Sequence, residues 1–348
     1  MRLLDEICEQ PQVARRLLDR GRERIEAIAE AVRAHEPGFV YLVARGSSDN
    51  AGVHAKYLLG MKNGLPVALA APSLFTLYES PPRIDESLVL GLSQSGQSPD
   101  LVKAVQEGRR QGALTVVFTN APESPLARAA EHVLPLEAGD EVSVAATKSY
   151  TATLLAVAML SAALRGKEGS RTDWTLLDEV PKLLEETLAL QERDKLRALA
   201  ESHKDDARCA VIGRGLNYST AYEWSLKLEE LASVSARPFS SADFRHGPIA
   251  QIGPGFPALL VHTEGRAGDD VLRLAVELER RRADIVLLTT SAEAASCFEG
   301  SLLAAPADEA LTPILLAVPA QLFAVELALA RGLDPEKPVG LTKVTTTE

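Results

Sequence analysis

The sequence is poor in cysteine and has no basic stretch. Its three cysteines, Cys8, Cys209 and Cys297, are odd in number and lie far apart, which argues against a disulfide framework and against a metal cluster. The formal net charge of −11 disfavours nucleic acid and anionic membranes as partners. No cationic leader precedes an apolar segment, and the run "TATLLAVAMLSAAL" (151–164) is shorter than the ~20 residues of a membrane-spanning helix. We therefore expect a cytoplasmic protein with no metal site.

The chain contains an internal duplication. The segment "FVYLVARGSSDNAG" (39–52) aligns with "RCAVIGRGLNYSTA" (208–221), which places Gly46 opposite Gly215. The segment ending at Asn120 aligns with the segment ending at Thr290, and the two offsets differ by a single residue. A nearly constant offset across strand, helix and strand predicts two copies of one domain. With 348 residues, 46% of them hydrophobic, the chain can bury two cores.

Short apolar runs alternate with helical patterns in both copies, as is typical of a parallel sheet covered by helices on both faces. The first copy contains five predicted strands, "FVYLVA", "PVALA", "LVLGLS", "TVVFTN" and "HVLPLE". The second contains "RCAVIG", "PALLVH", "IVLLTT" and "SLLAAP", with a further strand expected after Pro238. The predicted fold is α/β, with two tandem doubly wound, flavodoxin-like domains.

We expect domains at 1–170 and 171–335, each with a leading helix, and a C-terminal tail at 336–348. The leading helices are predicted over 13–35 and 176–203. The stretch "GKEGSRTD" (166–173) is predicted to be the linker.

Two polar loops follow the first and third strands of the first copy, "RGSSDN" (45–50) and "SQSGQS" (93–98). In a doubly wound sheet these two strand ends flank the point where the strand order reverses, which is where ligands bind. Serine hydroxyls and the amides of a helix N-terminus suit a phosphate group. The alternative is that Ser98 merely caps the helix that begins near Pro99. The second copy has "HTEGRAGDD" (262–270) in place of the second loop, so one phosphate site per chain is expected.

Three further parts of the sequence contain side chains that could take part in catalysis. Glu223, Lys227 and Glu230 share one face of a predicted helix, although such spacing is also typical of a solvated, salt-bridged face. His246 precedes a Gly-Pro turn that presents a side chain, yet a lone exposed histidine often has no role. Lys343 lies in the tail, where a lysine is ordinarily a solubilising charge.

The motifs "ARGSSDNAG", "SQSGQSPD", "VAATKSY", "SSADFRHGP" and "DPEKPVGLTKVT" resemble those of the sugar isomerase (SIS) family, in which paired domains bind phosphosugars. Within the family they are closer to type II glucosamine-6-phosphate deaminases than to the isomerase half of glucosamine-6-phosphate synthase. That synthase usually carries a serine where this chain has Ala146. The resemblance implies the following phosphosugar ligands, with backbone contacts from the last two: Ser47, Ser48, Ser93, Gln94, Ser95, Ser98, Val144 and Ala145.

The resemblance also implies catalytic roles. Glu230 would move the proton between carbons 1 and 2, and His246 would open the sugar ring in the neighbouring subunit of a homodimer. Lys343 would act as an imine-forming or electrostatic group, while Lys227 and Glu223 position the sugar. The expected reaction converts glucosamine 6-phosphate and water to fructose 6-phosphate and ammonia, without a metal or organic cofactor.

Three alternatives stay open at this point. A deglycase for 6-phosphorylated fructose-amines would use the same phosphate loop and the same glutamate. A synthase-like isomerase would run toward the amino sugar, and because this chain enters the sugar-binding module directly, we expect it to lack the glutaminase half. A non-catalytic phosphosugar sensor would need a DNA-binding module, for which the sequence has no evident segment.

Overall fold

The computed structural model describes residues 1–343, except for the side chains of 167–170. The remainder of the predicted tail, 344–348, lies outside the described residues. The chain forms two compact units, each built on one parallel sheet. The first-sheet unit comprises Gln12–Val142 and Lys148–Val180, with Thr342 and Lys343. The second-sheet unit comprises Met1–Pro11, Ser143–Thr147 and Pro181–Leu341.

Ten strands and fifteen α-helices make up the described chain. The strands are β1 (Phe39–Val43), β2 (Val67–Leu69), β3 (Ser87–Ser93), β4 (Leu114–Thr119), β5 (His132–Pro135), β6 (Arg208–Gly213), β7 (Ser235–Ser240), β8 (Pro257–His262), β9 (Asp284–Thr289) and β10 (Gly300–Leu303). The helices are α1 (Arg2–Cys8), α2 (Gln10–His35), α3 (Ser47–Asn63), α4 (Ser73–Thr76), α5 (Pro99–Gln111), α6 (Pro125–Ala129), α7 (Lys148–Leu164), α8 (Gly166–Asp178), α9 (Val180–Ala189), α10 (Arg193–Ser202), α11 (Tyr218–Ala232), α12 (Ser241–Arg245), α13 (Arg266–Arg280), α14 (Ala292–Ser296) and α15 (Thr312–Ala330). Short 3-10 helices occupy Gly215–Asn217 and Pro248–Gln251.

The two sheets have the same strand order, β2-β1-β3-β4-β5 and β10-β9-β8-β6-β7, and every pairing is parallel. The predicted doubly wound fold is therefore confirmed in both copies. All seven residues of β3 are buried, as expected for a central strand covered on both faces. The order reverses between β1 and β3 in the first sheet and between β6 and β8 in the second, so each sheet has one switch point.

The fifth strand of the second copy differs from its prediction. It is β7, Ser235–Ser240, which contains Pro238 instead of following it. β7 pairs with β6 alone and forms the edge of the sheet. A proline has no N–H to donate, and an edge strand tolerates this because one side of its backbone has no partner strand.

The connection between the sheets is helical where a linker was predicted. Residues 166–173, which were predicted to be the linker, form the first part of helix α8. The single long helix predicted over 176–203 is divided among α8, α9 and α10. Pro181 follows the first residue of α9, where its missing N–H costs no hydrogen bond, which is why one helix ends and the next begins there.

The most apolar helix is α15, and the apolar run at 151–164 lies in the shorter helix α7. By length and composition alone α15 could cross a membrane, yet 83% of its apolar window is buried inside the fold. Phe323 of α15 packs edge-on against Trp224 of α11, with ring centroids 5.9 Å apart. α15 is thus a core helix that supports α11. The cytoplasmic location stays a prediction.

A fully buried histidine makes stability depend on pH. His54 of α3 is 0% exposed, and neither ring nitrogen has a hydrogen-bond partner within residues 1–343. Burial lowers its pKa from 6.5 to about 4, because the charged ring would lose its hydration. Between these two values the unfolded chain binds a proton that the folded chain does not.

We therefore expect the unfolding free energy to be highest above pH 6.5 and to fall by about 3 kcal/mol as the pH drops toward 4, from this residue alone. Urea titrations at pH 4.5 and pH 7.5 would measure the change. His54→Leu removes the titrating group and should flatten this part of the pH profile. Equal pH dependence in the wild type and the variant would contradict the assignment.

Candidate active site

The phosphate loop predicted at 93–98 connects the end of β3 to the start of α5. Ser93 is buried, and its Oγ accepts a hydrogen bond from the Gly96 amide at 3.0 Å. Gly96 has a φ of +61°, and a Cβ there would lie 2.0 Å from Ser124 Oγ. The Gln94 carbonyl accepts from the Asn120 amide at 3.2 Å, which ties the loop to the end of β4. The loop is therefore closed on itself and admits only glycine at its tightest point.

The serine hydroxyls of this loop do not form helix-capping hydrogen bonds to α5. Ser98 is the N-cap residue of α5, but its side chain makes no capping hydrogen bond, so the interpretation of Ser98 as a mere cap is wrong. Ser95 Oγ accepts from the Gln97 amide at a long 3.4 Å. Both side chains, and that of Gln94, are partly exposed. Hydroxyl donors thus stand at the N-terminus of a 13-residue helix, where an anion is favoured.

The second polar loop emerges beside the first. β1 pairs with β3, with Val43 opposite Gly91, so the two loops leave adjacent strands at the same edge of the sheet. Gly46, at φ +54°, is the N-cap of α3, and Ser47 and Ser48 begin that helix, half-buried. The first-sheet unit therefore brings Ser47, Ser48 and the 93–98 loop to the switch point as predicted.

Sequence reasoning missed a charged pair at this edge. Arg45 precedes Gly46, and its Nε and Nη2 donate to Oδ2 of Asp100 at 3.0 and 2.8 Å. Asp100 is fully buried in the first turn of α5. The sequence does show an arginine at the start of the 45–50 loop and an aspartate just after the 93–98 loop. These residues are 55 positions apart, so no local pattern indicates that they form a pair.

The described start of the tail meets a buried carboxylate. Lys343 Nζ lies 2.9 Å from Glu141 Oε2, and the Glu141 side chain is fully buried. The same carboxylate accepts from the Ser149 amide at 3.0 Å and from Ser149 Oγ at 2.7 Å. Lys343 is thus held by an ion pair and is not a loose solubilising charge. Sequence reasoning also missed Glu141, which lies just before the predicted "VAATKSY" motif.

The backbone contacts predicted for Val144 and Ala145 remain predictions. Both residues lie in Ser143–Thr147, which belongs to the second-sheet unit. Ala145 is buried and Val144 is half-buried. The Thr147 carbonyl accepts a long hydrogen bond of 3.4 Å from Gln321 of α15, which anchors this short segment.

The second-sheet unit brings Glu223, Lys227 and Glu230 together on α11 as predicted. Lys227 Nζ is hydrogen-bonded to Glu230 Oε2 and lies 3.5 Å from Glu223 Oε1. Lys227 and Glu223 are 1% and 3% exposed, whereas the Glu230 side chain is 23% exposed. The alternative of a solvated, salt-bridged face is therefore wrong. A buried ammonium holds two carboxylates, and Glu230 is the one that solvent reaches.

His246 lies in the same unit, directly after the short helix α12. It is exposed, its amide donates to the Asp243 carbonyl at 3.0 Å, and Gly247 follows with a φ of +127°. Ser240 Oγ accepts from the Asp243 amide at 3.1 Å and caps α12. The turn thus presents the imidazole to solvent, as the Gly-Pro sequence predicted.

The fold defines a class of protein with two tandem doubly wound domains, and comparison with known proteins shows which family has this arrangement. The SIS domain model matches the chain twice, over residues 35–163 and 203–331. The chain therefore belongs to the SIS domain family.

Relatives along the whole chain are glutamine–fructose-6-phosphate aminotransferases (isomerizing). That of Thermococcus kodakarensis is 33% identical over 99% of this chain, and that of Gloeobacter violaceus is 34% identical over the same share. The chain spans 58% of the length of each. Among solved structures, a candidate phosphosugar isomerase from Silicibacter pomeroyi has a TM-score of 0.83 and 31% identity, covering 96% of this chain and 99% of that one. Glucosamine-6-phosphate deaminase from Thermotoga maritima, at 20% identity, covers 100% of both chains with a TM-score of 0.79 and shows the shared fold alone.

Proposed function

We propose that this protein is an amino-sugar-phosphate isomerase and deaminase that converts glucosamine 6-phosphate and water to fructose 6-phosphate and ammonia. The observation that carries the proposal is the position of Glu230, a partly exposed carboxylate held by the buried ammonium of Lys227. An aldose–ketose conversion moves a proton between two adjacent carbons, and a fixed carboxylate with access to the ligand is the base that this step needs.

The proposed reaction uses the groups described above in sequence. The phosphate binds to the 93–98 loop with Ser47 and Ser48, and His246 passes a proton between the sugar hydroxyl and the ring oxygen as the ring opens. Glu230 then removes the proton from carbon 2 of the open-chain aldehyde and returns it to carbon 1. The product carries an imine at carbon 2. Water adds to this imine, and ammonia leaves to give the ketose phosphate.

Lys343 is proposed to stabilise the oxygen or nitrogen on carbon 2 as a cation. Its ion pair with Glu141 supports this role, because the buried carboxylate holds the Lys343 side chain in a fixed position. Transfer of a proton from Lys343 to Glu141 would instead free the amine for imine formation with the ketose. Trapping with borohydride in the presence of fructose 6-phosphate, followed by mass measurement, distinguishes the two roles.

A second candidate function is isomerisation toward the amino sugar. It is supported by the relatives that are 33% and 34% identical, which are named as aminotransferases. The deglycase and the sensor interpretations use the same phosphate loop and differ in what happens at the amine. A homodimer in which His246 serves the neighbouring subunit is likewise part of the proposal.

One experiment separates these functions. The pure protein is incubated with glucosamine 6-phosphate, galactosamine 6-phosphate or a fructose-amine 6-phosphate, and ammonia or free amine is measured together with ketose and aldose phosphates. Equimolar ammonia and fructose 6-phosphate from the first substrate would support the proposal. Release of the amine and an aldose phosphate from the fructose-amine alone would establish a deglycase, and binding without turnover of any substrate would establish a sensor.

The phosphate loop makes a separate prediction. Replacing both Ser93 and Ser98 with alanine should raise KM for glucosamine 6-phosphate by at least tenfold, because each hydroxyl hydrogen bond to a charged group contributes roughly 1.5–3 kcal/mol. Steady-state kinetics would measure this. Ser296→Ala, at an exposed serine of the second-sheet unit, is the control and should leave KM unchanged. An unaltered KM in the double variant would remove the loop from the site.

A further inference from the structure

The pair of Arg45 and Asp100 joins the two polar loops of the first-sheet unit. Arg45 follows β1, and Asp100 is the second residue of α5, immediately after the 93–98 loop. Two guanidinium nitrogens donate to the single oxygen Oδ2 of Asp100, and Oδ1 of the same carboxylate accepts from the Leu101 amide at 2.9 Å. The aspartate side chain is therefore fully used by the protein and is held in one orientation.

The positive charge of Arg45 offsets the buried negative charge of Asp100, and the pair leaves some N–H donors of Arg45 available to a ligand. A buried carboxylate in the first turn of α5 repels an anion at that helix end, and a helix dipole offers only about half a charge in compensation. Arg45 supplies a full positive charge. A guanidinium has five N–H donors, of which the pair uses two. The others have no hydrogen-bond partner within residues 1–343, and the Arg45 side chain is 49% exposed.

The second copy of the domain shows that the fold itself does not require this contact. Arg214 and Asp270 occupy the corresponding positions, in a sheet with the same strand order. There the Asp270 carboxylate accepts from Ser241 Oγ and from Arg245 Nη1, and within the described residues no hydrogen bond joins it to Arg214. The second copy also lacks the serine-rich loop. The forked Arg–Asp pair thus accompanies the polar loop, not the sheet topology.

We propose that Arg45 is the cation of the phosphate site, held in place by Asp100, and that it provides much of the affinity for phosphorylated over unphosphorylated sugars. A guanidinium suits this role because its planar donors match phosphate oxygens. Asp100 acts as a positioning residue that fixes the Arg45 side chain. The inference deepens the proposed function and rests on the phosphate being bound at the 93–98 loop.

The test uses binding, which does not depend on turnover. Affinities for inorganic phosphate and fructose 6-phosphate are measured by calorimetry for the wild type and for Arg45→Gln, Arg45→Lys and Asp100→Asn. Arg45→Gln should weaken both ligands about tenfold or more, and Arg45→Lys should recover most of the loss because the charge returns. Arg110→Gln is the control, since Arg110 also donates through Nε and Nη2 to a carboxylate, that of Glu107, at the far end of α5. Its affinities should equal those of the wild type.

The double variant Arg45→Gln/Asp100→Asn distinguishes two roles for Arg45, which are direct contact with phosphate and neutralisation of the Asp100 charge. If Arg45 contacts phosphate, the double variant binds at least about fivefold more weakly than Asp100→Asn alone. Equal affinities of the double variant and Asp100→Asn would overturn the proposal, because Arg45 would then merely cancel the Asp100 charge.

The double variant carries neither charge of the pair and serves as the test should Arg45→Gln not fold. If the wild type binds neither ligand, the proposed function fails as well, whereas loss of binding in the Ser93 and Ser98 variant but not in Arg45→Gln overturns this inference alone.

Discussion

Replacing Glu230 with glutamine is expected to lower kcat for glucosamine 6-phosphate by more than about 100-fold with little change in KM. Glutamine keeps the size and the hydrogen-bonding oxygen of the side chain, but it cannot take up the proton of carbon 2. Its amide can still face the Lys227 ammonium, so the local structure should persist. In the proposed mechanism the phosphate binds elsewhere, to the loop after β3, and we therefore expect the affinity for fructose 6-phosphate to remain near that of the wild type.

Deuterium exchange makes the Glu230 experiment specific to proton transfer. In D₂O the wild type should incorporate deuterium at carbon 1 of fructose 6-phosphate, which NMR detects, and Glu230→Gln should not. Glu229→Gln is the neighbouring control: Glu229 is an exposed residue of the same helix and is expected to keep activity and exchange. If exchange persisted in Glu230→Gln, a different base would have to carry the reaction.

Replacing Lys227 with methionine is expected to lower the unfolding free energy by about 3–5 kcal/mol. Methionine fills nearly the same volume, but it removes the ammonium from between the carboxylates of Glu223 and Glu230, and Glu223 is 3% exposed. Removing a cation from beside a buried carboxylate takes away an attraction that helps to offset the desolvation cost of that carboxylate. Urea or thermal unfolding followed by circular dichroism would measure the loss.

Two further variants test this explanation. Lys182→Met breaks an exposed pair with Glu186 on α9, whose side chains are 69% and 48% exposed, and should cost less than about 1 kcal/mol. Adding Glu223→Gln to Lys227→Met removes the buried negative charge of Glu223 and should recover part of the stability. The explanation would be untenable if Lys227→Met and Lys182→Met proved equally mild.

The strands and their order could be predicted because they depend on local composition and on the repeat. Continuous apolar runs such as that of β3 indicate strands buried on both faces, and the repeat of the Gly46 segment at Gly215 indicates a second copy of whatever the first copy forms. Boundaries that depend on competing local preferences were less predictable. The strand that contains Pro238 and the helix α8 over the expected linker are two examples, because proline and glycine locally disfavour the structures that these segments form.

By itself the sequence determined the doubly wound fold, the place of the polar loop 93–98 after β3 and the sharing of one helix face by Glu223, Lys227 and Glu230. Only the tertiary structure decided that this face is buried, because helical spacing states which side chains are neighbours but not what covers them. Phe323 in α15 packs against Trp224 in α11, three residues before the buried Lys227. The pairs Arg45–Asp100 and Lys343–Glu141 likewise join residues 55 and 202 positions apart. Ion pairs at such separations leave no periodic signal in a sequence, since only the path of the chain through the sheets brings their charges together.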